Sequence, residues 1–172
     1  MNQIWAPWRM DYIKGKRKGF DSCVFCHFAE RPENDRAQHV VARSAHAFVT
    51  LNRYPYTYGH TMIIPFEHVS STEDLNAEAL ADVMLMANRA MRVLREIADP
   101  QAFNIGANIG AAAGAGIAAH FHLHVVPRWN GDHSFMECLG GTRTIPDTLS
   151  NILDEMREAW AKLYGPMHET EM

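Results

Sequence analysis

The chain is short of cysteine, of long apolar runs and of positive charge, and each shortage removes a class of protein. Three cysteines, Cys23, Cys26 and Cys138, cannot pair without a remainder, which excludes a disulfide-stapled scaffold. No apolar stretch approaches the roughly 18 residues that a membrane-spanning helix needs. A net charge of −4 with neutral histidines argues against a broad nucleic-acid or membrane-binding surface. Met1 to Arg9 lacks the charged head, apolar run and small-residue site of a secretory signal, so a cytoplasmic protein is expected. The 172 residues suffice for one substantial core, and the expectation is a single domain over 1–172, with 1–20 an extended arm and 21–30 a metal knuckle.

What is present is an α+β pattern. Short β-branched and aromatic runs at His39–Arg43, His46–Leu51 and Thr61–Ile64 read as strands, the third stopping at Pro65. A helix follows, with Ser70, Ser71 or Thr72 as its cap. Leu80, Val83, Met84, Ala87, Met91 and Leu94 form its expected buried stripe, and Asp99–Pro100 its end. Two further β-like segments lie around Ala102–Asn108 and Phe121–Val126, with a last helix at about Asp147–Leu163. A mainly antiparallel sheet covered by one long helix is expected.

The most informative stretch is His120-Phe121-His122-Leu123-His124-Val125-Val126. In a strand the three histidines share one face, within about 13 Å, while Phe121, Leu123 and Val125 share the other, core-facing side. Two chemistries fit three alternating imidazoles: a catalytic metal site, or a nucleophilic histidine held by its neighbours. The preceding alanine-rich stretch with Gly110, Gly114 and Gly116 favours the second, because glycines let backbone N–H groups approach a phosphate. Cys23 and Cys26 have the spacing of a zinc-binding pair and need a second pair of ligands. A redox pair is the weaker reading, since no βαβ context surrounds them.

Asn108, Gly110, Ala113, Gly114, His120, His122, His124, Val125, Val126, Pro127 and Arg128 resemble the signature of the histidine triad (HIT) family of nucleotide hydrolases and transferases. The similarity continues through Asn52, Pro55, Gly59, His60, Ile63, Ile64, Pro65 and His68 and covers roughly residues 20–130. Trp5 to Met10 and Pro127 to Asp132 resemble a narrower group, the bacterial diadenosine tetraphosphate phosphorylases. The resemblance implies a HIT-like fold of about five strands with a long helix and a C-terminal helix. It implies His122 as nucleophile, forming a nucleotidyl-imidazole, and His124 as a phosphate contact. Asn52 matches the ribose position and Asn108 the phosphate region, with Gly114, Ala115 and Gly116 cradling the α-phosphate. It also implies a structural zinc on Cys23, Cys26, His68 and His120, with His27 and His60 as substitute ligands, and no organic cofactor.

Ala115 to Ala119 departs from the family, many of whose members carry Gln, Ser or Thr there. The implied activity is cleavage of dinucleoside polyphosphates at the α-phosphate, with inorganic phosphate favoured over water as acceptor. The alternatives are a HIT hydrolase or phosphoramidase, or a nucleotide-binding protein of little activity. Arg128 or a nearby Lys is a candidate for a second anion site. Trp129 is expected either to stack on a base or to serve packing. Trp5 and Trp8 on a terminal arm point to a homodimer or homotetramer. Lys14, Lys16, Arg17 and Lys18 read as a solvated loop, and Cys138 as a small buried apolar residue.

Overall fold

A computed structural model describes residues 23–132 and 145–165. The expectations for Trp5, Trp8, the basic run and Cys138 lie outside these residues. The chain forms β1 (Val40–Arg43), β2 (Ala47–Leu51), β3 (Thr61–Pro65), β4 (Ala102–Gly106) and β5 (Leu123–Arg128), and the sheet is antiparallel throughout in the order β1-β2-β3-β5-β4. Among the described residues three α-helices accompany it: α1 (Val24–Glu30), α2 (Ala77–Ala98) and α3 (Leu149–Tyr164).

Alternation along the strands sorts their side chains into two layers. Val49, Leu51, Ile63, Phe121, Leu123 and Val125 face α2 and α3 and build the larger core. Val40, Phe48, Met62 and Ile64 face the other way, where Phe25 of α1 covers them. The histidines belong to this second, thinly covered side. β1 is closed by α3, whose Arg157 donates to the Val40 carbonyl at 3.1 Å. Among the described residues β4 is the open edge, exposed along most of its length.

Several sequence expectations shift. α2 is capped by Asn76, whose side chain accepts from the Ala79 N–H, whereas Ser71 caps a separate turn of 3-10 helix at Thr72–Asp74. Of the three candidates Ser70, Ser71 and Thr72 the chain uses Ser71 for the short turn, and Asn76, beyond them, caps the long helix. The buried stripe of α2 is Ala79, Val83, Met86, Ala87, Ala90, Val93 and Leu94; Leu80 and Met84 are 39% and 44% exposed. The expectation holds at Val83, Ala87 and Leu94, and close approach to the sheet adds the small Ala79 and Ala90 in place of Leu80 and Met84. Asp99 ends the helix in a left-handed conformation just before Pro100. β4 stops at Gly106, leaving Asn108 in the loop, and β5 begins only at Leu123.

Gly59 precedes β3 at φ +69°, and a Cβ there would lie 2.5 Å from Leu94 Cδ2 on α2. Gly59→Ala therefore combines left-handed strain with overpacking and should destabilise by about 3 kcal/mol, a fall of roughly 6–12 °C in melting temperature. Gly114→Ala, at φ +88° with open space around it, should cost only the backbone part, about 1–2 kcal/mol. Thermal unfolding of the two variants tests this; equal losses would show that the approach of α2 does not matter.

Candidate active site and metal centre

Cys23 is the N-cap residue of α1 and Cys26 lies one turn on, so a spacing of three brings both thiols to one end of a short helix. His68 follows β3, and His120 ends the glycine loop. Cys23 Sγ is 3.4 Å from His120 Nδ1, Cys26 Sγ is 3.2 Å from His68 Nδ1 and 3.6 Å from His120 Nδ1. All four ligand atoms lie within 4.8 Å of one another. Two sulfurs at about 2.3 Å and two nitrogens at about 2.0–2.1 Å around zinc imply S–N edges of about 3.6 Å, so the residues fit a tetrahedral ion. His120 Nε2 donates to the Pro65 carbonyl at 2.9 Å, which turns the Nδ1 lone pair toward the thiols. Burial and then the neighbouring Cys23 push the Cys26 thiol up to about 11; a divalent cation reverses that balance by stabilising the thiolate.

His122 begins where the metal group ends. Its Nδ1–H donates to the backbone carbonyl of His120 at 2.9 Å. In the neutral ring Nε2 then carries the lone pair. Phe25, between the two cysteines in sequence, packs its ring 5.5 Å from that of His120 and 5.2 Å from that of His122. Of the three histidines only His124 lies within β5; His120 and His122 form its extended approach. The expected alternation nevertheless holds, because Phe121 and Leu123 enter the large core.

His124 is held by a relay. The Tyr56 N–H donates to His60 Nδ1 at 3.1 Å, so the proton of His60 sits on Nε2 and is given to His124 Nδ1 at 2.9 Å. His124 must then carry its own proton on Nε2. Its ring centroid is 5.0 Å from that of His122, so an imidazole N–H donor stands beside an imidazole lone pair. Burial, then His124, lowers His60 to about 3. Burial, then His122, lowers His124 to about 4. Both are neutral at neutral pH.

The residues assigned to the nucleotide are distributed unevenly. Asn52 follows β2; its Oδ1 accepts from the Tyr54 N–H at 2.9 Å and its Nδ2 lies 3.4 Å from His60 Nδ1, which puts it beside the relay. Gly106 pairs with His124, so the loop that carries Asn108, Gly114, Ala115 and Gly116 leaves the sheet next to the triad. Trp129 is not brought there within one chain. It lies five residues beyond His124, roughly 16 Å along the strand, and its indole N–H donates to the Ala98 carbonyl at the end of α2 at 3.0 Å. Arg128 lies four residues beyond His124 on β5 and is engaged by Asp132 and Asn104. His60 is no metal ligand but the partner of His124. The only signal for it was its place in the Gly59–His60 block; nothing in its spacing told relay from ligand.

The HIT domain family matches residues 33–131. The AP-4-A phosphorylase of Mycobacterium tuberculosis is 37% identical over 167 residues, covering 94% of this chain and 86% of that protein. A zinc-bound histidine triad family protein of Mycobacterium smegmatis superposes with a TM-score of 0.67 at 33% identity, covering 83% of this chain and 95% of that one. A hypothetical histidine triad nucleotide-binding protein of Sulfolobus tokodaii shares the fold, with a TM-score of 0.67 at 22% identity over 87% of this chain and 99% of that one. With the family match running from before β1 through the glycine loop and all the histidines of the site, the chain belongs to the HIT family.

Proposed function

We propose that the protein cleaves dinucleoside polyphosphates of the diadenosine tetraphosphate kind, with His122 as nucleophile and inorganic phosphate as acceptor. The observation that carries this reading is the Nδ1–H of His122 on the His120 carbonyl, which reserves Nε2 for attack on the α-phosphorus. The P–N bond forms as the bond to the bridging oxygen breaks, and ATP leaves from diadenosine tetraphosphate. The positive charge that develops on the imidazole is stabilised by the same carbonyl. His124 presents its Nε2–H to a phosphate oxygen. Asn52 binds the ribose, and Asn108 with the backbone around Gly114, Ala115 and Gly116 receives the α-phosphate. A phosphate oxygen then attacks phosphorus, the P–N bond breaks, and ADP leaves with His122 restored. The similarity to an AP-4-A phosphorylase over most of the chain supports phosphate rather than water.

Zinc is the proposed ion on Cys23, Cys26, His68 and His120, supported by the donor set and by the zinc-bound relative; its role is structural. A reducing, cytoplasmic setting suits the thiolates. A homodimer or homotetramer is the proposed assembly: the β4 edge, Ala102–Gly106, carries no charge, lysine or proline to keep another strand away. Among the described residues no helix is long and apolar enough to cross a membrane.

Three outcomes are expected. Rapid quench with labelled diadenosine tetraphosphate should trap an acid-labile nucleotidyl adduct that His122→Ala lacks, with turnover of that variant down by several orders of magnitude. Wild-type products should be ATP and ADP with ADP strictly phosphate-dependent, whereas AMP formed equally well without phosphate makes the enzyme a hydrolase. Metal analysis should find about one zinc per chain, and Cys23→Ser should lose it and melt lower by on the order of 10 °C; a metal-free wild type rejects the site.

A further outcome concerns acid. His60 and His124 titrate near 6.5 in an unfolded chain but at about 3 and about 4 in the fold. Between pH 6.5 and 4 the unfolded state binds more protons, so stability rises with pH and is lost as pH falls through this window. The melting temperature should drop across it, and less steeply in His60→Gln, which removes one of the two groups. Parallel curves would assign the acid sensitivity elsewhere.

A further inference from the structure

The segment between β2 and β3 holds a half-exposed tyrosine in an unusual setting. Tyr56 is 49% exposed, yet its ring centroid lies 4.5 Å from that of His60 and 6.1 Å from that of His124, nearly parallel to the latter at 24°. Its own N–H is the donor that sets the His60 tautomer. The segment carrying it is pinned on both sides. Tyr54 N–H donates to Asn52 Oδ1 at 2.9 Å, Asn52 N–H to the His60 carbonyl at 2.8 Å, and Thr57 Oγ1 to the Pro127 carbonyl of β5 at 3.1 Å. Gly59 is wedged against Leu94 of α2. A ring on such a frame keeps its place although half of it meets solvent.

We infer that Tyr56 is a positioning residue of the reaction: its ring closes the outer face of the His60–His124 pair and thereby holds His124 in the tautomer that presents Nε2–H to the substrate. The inference rests on the proposed role of His124. The physical need is plain. A hydrogen bond between two neutral imidazoles is strong only while water is kept from it, because water competes for both the donor and the lone pair. From below, β3 contributes Met62, paired with His124, and β4 contributes Gly106, which has no side chain. From the extended approach to β5 comes His122. The titratable groups facing His124 among the described residues are thus His60, His122 and Tyr56, with Asn52 the neighbouring polar side chain; no carboxylate or cation acts on His124. Neutrality of the pair therefore depends on burial, and Tyr56 is the cover on the solvent side.

Opening that cover should let water reach both rings, raise their proton affinity toward the ordinary value and scramble the tautomer. The test compares Tyr56→Ala, Tyr56→Leu and Tyr56→Phe with wild type, each checked for an unchanged zinc content and melting transition. In Tyr56→Ala the kcat should fall about tenfold to a hundredfold, the range expected when a partner that orients a functional imidazole is lost, with KM changed less than about threefold. Titration of the ring nitrogens by NMR should move the His124 midpoint up by about one unit or more. Tyr56→Phe should restore both readouts, because the ring and not the hydroxyl provides the cover, and Tyr56→Leu should fall between.

A raised KM with unchanged kcat would overturn the inference and make Tyr56 a stacking surface for substrate. So would an unmoved His124 titration, or a Phe variant as impaired as the Ala variant. The titration needs no substrate. If wild type forms no nucleotidyl adduct, the proposed chemistry fails on its own while the effect of Tyr56 on His124 is still read.

Discussion

The backbone carbonyl of His120 is the point on which both halves of the site depend. It accepts the Nδ1–H of His122, while the side chain of the same residue turns Nδ1 to two thiols and anchors Nε2 on the Pro65 carbonyl. One residue therefore joins the end of β3, the cysteine helix and the proposed nucleophile. An ion that fixes the His120 ring also fixes the peptide that orients His122, so metal and chemistry are mechanically one unit although they share no reacting atom. Phe25 reinforces the join by packing against both rings.

Opposite that fixed point stands a second one, built without charge. His124 receives its partner from His60, and His60 from a backbone N–H. Residues 109–119 carry no polar side chain, and Arg128 is tied to Asp132 and Asn104 at the far end of β5. Among the described residues a polyphosphate of the proposed kind would meet peptide dipoles and imidazole N–H groups here, donors that are already oriented and need little reorganisation. A neutral relay also resists change near neutral pH, since both rings titrate well below it.

Much of this was legible because period-two alternation is a backbone rule that survives local irregularity. His120, His122 and His124 share a face although only the last is within β5, and the four metal residues meet as the resemblance implied. Other features were hidden for a physical reason in each case. The α2 stripe holds at Val83, Ala87 and Leu94 but is rotated from the expected one, because a helix lying close on a sheet also buries the small Ala79 and Ala90 and leaves Leu80 and Met84 outside. His60 was a candidate ligand because sequence gives no direction to an imidazole; only the Tyr56 N–H on Nδ1 shows which nitrogen faces His124. Trp129 and Arg128 adjoin the motif in sequence, but a strand carries its neighbours away at roughly 3.3 Å per residue.

The division of the sheet gives a physical reason for four residues that could hold a metal on this side of the fold. The face toward α2 and α3 is held by the hydrophobic effect, with a continuous apolar cluster from Val41 to Trp160. The opposite face must carry imidazoles, so it cannot be closed in the same way. Its cover is α1, seven residues long with Phe25 alone fully buried, too short to stand by its own helical hydrogen bonds. Directed bonds take the place of apolar burial at both of its ends. At the C-terminal end Arg43, paired with Asp35, donates to the carbonyls of Phe28 and Ala29 and lies over the Phe48 and Phe66 rings. At the N-terminal end Cys23 and Cys26 reach His68 and His120. A metal ion held by these four residues would supply, in one small volume, the attachment that an apolar side would have given, and would leave the faces of His122 and His124 uncovered.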